Sequence, residues 1–88
     1  MTAVKRIVLD VLKPHHPNVL DFARAIAESN SDCDVRISVS AVDEKTESVV
    51  VEITGGDIDF ASVSEMITEM GGSVHSIDEV HVVGDEVS

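Results

Sequence analysis

Four histidines and a scatter of carboxylates are the residues of this chain with the most chemistry open to them. His15 and His16 stand between two prolines in "KPHHP", and His75 and His81 bracket Asp78 and Glu79 in "HSIDEVH". Asp10 interrupts the apolar run "RIVLDVL". Imidazole and carboxylate donors together suit zinc, nickel or manganese, and carboxylates alone suit calcium, so a divalent metal cation is the ligand this set points to. Its ligands would come from Asp10, His15, His75, Asp78 and Glu79. Alternatively these residues are structural punctuation: Pro14 ends a strand, Pro17 restricts entry into a helix, His15 and His16 fill the loop, and His75 and His81 are solvated on an edge strand. Asp10 is the more informative residue, because a carboxylate in the middle of a central strand needs water, a cation or a partner subunit's donor.

Other chemistries lack their residues. Cys33 is alone, which excludes a disulfide framework, a Cys-x-x-Cys redox pair and a thiolate zinc cage, and fits a reducing cytoplasm. No Gly-x-Ser-x-Gly elbow is present, and the Gly55-Gly56 turn is followed by Asp57 and Asp59, which repel phosphate. Seventeen Asp and Glu against six Lys and Arg give a net charge of −11, which opposes nucleic acid and anionic membranes. The acids are spread along the chain and the only lysines are Lys5, Lys13 and Lys45, as on halophilic surfaces that depend on salt for screening. The N-terminal "AVKRIVLDVLK" is too short and too charged for a membrane span or a signal sequence.

The elements that must position these residues follow from periodicity. Ile7, Leu9 and Val11 alternate with Val8, Asp10 and Leu12 as a strand over 7–12. Asn18 caps a helix that ends near Ser29, with Val19, Phe22, Ala23, Ile26 and Ala27 on one stripe. "VRISVSAV" and "VVVEIT" alternate on either side of the turn "DEKTES" and form a hairpin with Val35, Ile37, Val39, Val49, Val51 and Ile53 inward. The outward positions Val50, Glu52 and Thr54 carry no aromatic ring on which an RNA base could stack. Asp59 caps a second helix, stapled by Ile58 and Val63 and stopped at Gly71, and "SVHSIDEVHVV" is the last strand. Aromatics are 2% of the chain against 43% hydrophobic residues in all, so the core is aliphatic.

The order βαββαβ predicts one ferredoxin-like α+β domain over 1–88. In it a four-stranded antiparallel sheet of order 4-1-3-2 carries two helices on one face. The last strand then runs beside the first, bringing the histidines and carboxylates to one region. With Val74, Val80 and Val82 facing the helices, His75, Glu79 and His81 join Asp10 on the open face. A bulge near Ser76 would put Asp78 there in place of Glu79.

The segments "RIVLDVLKPHHP", "SAVDEKTESVVVEITG" and "DFASVSEMITEMGGSVHSIDEV" closely resemble the archaeal family catalogued as domain of unknown function 211. Asp10, Lys13, Pro14 and His15 match its first motif, and Gly71, Gly72, His75, Asp78 and Glu79 its second, while His16 lies outside it. The resemblance implies a ferredoxin-like protein that assembles into closed rings and brings no established activity. The expected function is a non-enzymatic homo-oligomer of the archaeal cytoplasm, its partner being itself, with a small ligand or divalent cation at the open sheet face or subunit interfaces. Two rivals stand beside it: a small-molecule-sensing regulatory module using interface loops such as "TGGD", and a purely structural or protein-interaction ring.

Overall fold

The structure, a computed structural model, describes residues 1–84. Strand β1 spans Thr2–Pro14, helix α1 Val19–Ser29, β2 Cys33–Val42, β3 Thr46–Gly55, α2 Phe60–Glu69 and β4 Ser73–Gly84. The four strands form one antiparallel sheet in the order β2-β3-β1-β4, the expected order read from its other edge. β1 is therefore the first strand of the chain and an inner strand of the sheet.

Alternation decides which face is buried. Ile7, Leu9 and Val11 of β1 and Val49, Val51 and Ile53 of β3 pack against Phe22 and Ile26 of α1 and Val63 and Ile67 of α2. Each buried aliphatic side chain of this kind contributes roughly 1.5–3 kcal/mol. The helices are placed by their ends as much as by their stripes. Asn18 Oδ1 accepts the backbone N–H of Asp21, and Asp59 accepts that of Ser62, so both N-termini are capped by side chains. α2 ends with Gly71 at φ +83°, Gly72 N–H donating to Ile67 O at 2.9 Å and Gly71 N–H to Thr68 O at 3.0 Å. That pair of bonds is a Schellman motif, which favours glycine at the left-handed position. Between the helices, buried Asn30 accepts the backbone N–H of Asp59 at 2.8 Å and ties the end of α1 to the start of α2.

The strands run further than the alternating cores alone indicate. β1 begins at Thr2, and Val4 is held by the segment that follows β3: its carbonyl accepts Ile58 N–H at 2.9 Å and its N–H donates to Asp57 Oδ1 at 3.1 Å. β4 has 12 residues and is roughly 40 Å long, whereas α2 has 10 and is roughly 15 Å long. Val80 and Val82 lie opposite Ile7 and Val4, and so on the helix side as expected, yet they are 58% and 49% exposed because no helix reaches over them.

Candidate functional site: a cleft beside Asp10 on the open sheet face

Asp10 is half-buried on the face away from the helices, level with Val50 of β3 and Ser76 of β4. β4 does not pair evenly with β1. One register shift falls between Val8↔Glu79 and Leu9↔Ile77 and leaves Asp78 as the extra residue; another falls between Asp10↔Ser76 and Val11↔Val74 and leaves His75. Bulges of this sort re-aim side chains. Here His75 comes to line a cleft of about 230 Å³ with Asp10, Val11, Leu12 and Ser48. Ser76 Oγ donates to Asp78 Oδ1 at 2.7 Å, which brings that carboxylate toward the Asp10–Ser76 rung. Glu79 keeps its place opposite Val8, so the bulge adds Asp78 to this face without removing Glu79.

The other expected ligands are engaged elsewhere. Glu79 Oε2 accepts Arg6 Nε at 3.4 Å, and Arg6 also meets Glu52 Oε1 at 3.4 Å, giving a charged belt across β4, β1 and β3 above Val8. His81 lies opposite Arg6, well along the strand from Asp10, and His16 is exposed in the loop. His15 sits at the hairpin turn, where Nε2 is 3.0 Å from Asp43 O and 3.1 Å from Glu44 O. Both of those atoms only accept, so Nε2 carries a proton and His15 clips the turn. The ion pairs among the described residues leave Asp10 unused. No group of three His, Cys, Asp or Glu among the described residues is placed to hold a metal ion.

Lys13 and Glu47 are the polar pair that the metal-centred pattern passes over. Lys13 is 0% exposed, and its Nζ donates to Glu47 Oε1 at 2.6 Å and Pro14 O at 2.8 Å, 5.5 Å from the centroid of the Phe22 ring. The signal was present in the sequence. Position 13 continues the inward series Ile7, Leu9, Val11, and position 47 continues Val49, Val51, Ile53; the two are register partners. The Lys13 hydrogen bond holds the Glu47 carboxyl below its usual range against the opposing effect of desolvation, with the charges of Lys13, His15 and His16 adding to the lowering. Burial raises the Cys33 thiol and Asp32 and Asp34 raise it further, so that sulfur is no activated nucleophile.

The cleft can thus offer one carboxylate and one imidazole, with Ser48 beside them, to a small cation or a polar ligand. None of the 84 described residues lies in a helix long and apolar enough to cross a membrane. Residues 5–88 match the family DUF211, described as "Uncharacterized ArCR, COG1888". The chain is also 42% identical over 87 residues to "Uncharacterized protein MJ0319" of Methanocaldococcus jannaschii, an alignment covering 99% of this chain and 89% of that protein. With the profile spanning nearly the whole chain and an archaeal relative at this identity, the chain belongs to the DUF211 family.

Proposed function

We propose that this chain is a non-enzymatic subunit of a closed homo-oligomeric ring, and that the cleft beside Asp10 takes a small polar ligand or a divalent cation. The observation that carries the assembly is apolar exposure on both edges of the sheet. On β4, Ile77, Val80 and Val82 are 52%, 58% and 49% exposed; on β2, Val39 and Val42 are 45% and 66% exposed. An edge strand with uncovered apolar side chains is a template for pairing, which natural chains otherwise blunt with charge or proline. Because the two patches lie on opposite edges, joining one to the other is a head-to-tail contact, which closes into a ring when its rotation permits.

The purely structural ring has one observation in its favour, the lack of a three-donor group among the described residues. Static light scattering at micromolar protein in molar KCl tests the assembly. A single species of several subunits is expected, converted to smaller species by Val80→Asp. A folded monomer under these conditions would remove the proposal.

A further inference from the structure

Asp10 is half-buried on an inner strand and takes no part in the ion pairs among the described residues. The chain has six lysines and arginines in all. Arg6 is shared between Glu52 and Glu79, Arg36 lies 3.9 Å from Glu52, and Lys13 is buried on the other face against Glu47. Lys5 lines a separate cleft with Asp57, and Arg24 is on α1, across the sheet. Lys45 is in the β2–β3 turn, beyond the Pro14↔Thr46 rung and so roughly 13 Å or more along the strands from Asp10↔Val50. A counter-charge for Asp10 therefore has to come from outside the subunit. Extending the reading of the cleft as a ligand site, we propose that it binds a primary ammonium group carried on a short aliphatic chain.

The groups in the cleft match an ammonium better than a metal. A zinc-like cation takes about four ligands, and no group of three His, Cys, Asp or Glu among the described residues is placed to hold one. An ammonium instead asks for acceptors for three N–H bonds. Asp10 and Leu12 are alternate residues of β1, Ser48 stands opposite Leu12 on β3, and His75 is the bulged residue of β4 between the Val74 and Ser76 rungs. A carboxylate, a hydroxyl and an imidazole thus line one cleft of about 230 Å³ from three adjacent strands, and each of them accepts when the imidazole is neutral. Leu12, 40% exposed, completes the lining with Val11 and gives the aliphatic chain an apolar wall. The volume lies below the roughly 300–1,000 Å³ of sites for drug-sized molecules, which limits the tail to a few carbons.

Amide NMR of the isotope-labelled intact protein at pH 8 and constant KCl tests this, with n-butylammonium, tetramethylammonium and zinc chlorides as probes. Butylammonium should shift the Asp10, Leu12, Ser48 and His75 amides saturably. Asp10→Asn, shown to be folded by circular dichroism, should bind it about tenfold more weakly or worse, since a hydrogen bond to a charged group is lost. Ser48→Ala should weaken binding about fivefold and serves as the reading if Asp10→Asn does not fold. Tetramethylammonium has the same charge and no N–H bond, and should bind at least tenfold more weakly than butylammonium. Equal binding of these two probes, or unchanged affinity in either folded variant, overturns the proposal. Zinc that shifts these amides where butylammonium does not overturns the ammonium assignment alone, and a cleft silent to all three probes overturns the ligand reading with it.

Discussion

Lys13 carries the greatest structural consequence of any single side chain described above. A lysine with no exposed surface is tolerated because Glu47 and Pro14 O accept from its amine, which also lies 5.5 Å from the centroid of the Phe22 ring. Lys13→Ala removes the buried stem together with the pairing and should cost about 2 to 4 kcal/mol in urea unfolding. Lys13→Met combined with Glu47→Leu should recover most of that loss, since an apolar pair of similar volume can replace a buried ion pair. His16→Ala, in an exposed loop position, is the control and should leave the midpoint unchanged. Because Glu47 is held below its usual range in the fold, the stabilisation it brings is fully present above the unfolded carboxylate value of about 4.3 and is lost as pH falls through the lowered folded value. The loss of stability between neutral pH and about pH 3, measured by urea unfolding, should therefore be smaller in Lys13→Met than in wild type, although the variant is less stable at neutral pH.

The elements show where local chemistry is decisive. Gly71 at φ +83° is the position whose backbone requires glycine, and a Cβ there would also stand 3.4 Å from Pro14 Cγ. Gly71→Ala should lower stability by about 1 kcal/mol, a fall of about 4–8 °C in the melting midpoint of a domain this size. The capping residues Asn18 and Asp59, the glycine stop and all six elements were legible in the sequence, because each is set by neighbours within one turn or by an alternation of two. The bulges of β4 were legible only in part. A bulge near Ser76 was one alternative for the last strand, but that bulges leave His75 and Asp78 unpaired depends on how a strand 60 or more residues away pairs with β1. His15 escaped for a similar reason. Its acceptors are the carbonyls of Asp43 and Glu44, backbone atoms that no residue type announces.

At the scale of the whole molecule the dominant quantity is charge. A net −11 on 88 residues, with only five ion-pair contacts among the described residues, leaves most carboxylates facing one another across water. The melting temperature should climb between 0.1 and 2 M KCl by about 10 °C or more as the Debye length shrinks from about 10 Å to under 3 Å. A midpoint indifferent to KCl would mean that the acids are compensated locally. The strand order carries a separate consequence, for the moment of synthesis. β1 is made first and lies inside the sheet, but one of its two neighbours, β4, is made after the other described strands. Until the ribosome has released the residues from Ser73 onward, the nascent chain can close only three strands, and the inner strand presents a bare edge bearing Ile7, Leu9 and Val11 to every other chain being translated nearby. Strand β4 thus covers the edge of β1, and a chain truncated before Ser73 should aggregate more readily than the full chain in a light-scattering assay of refolding.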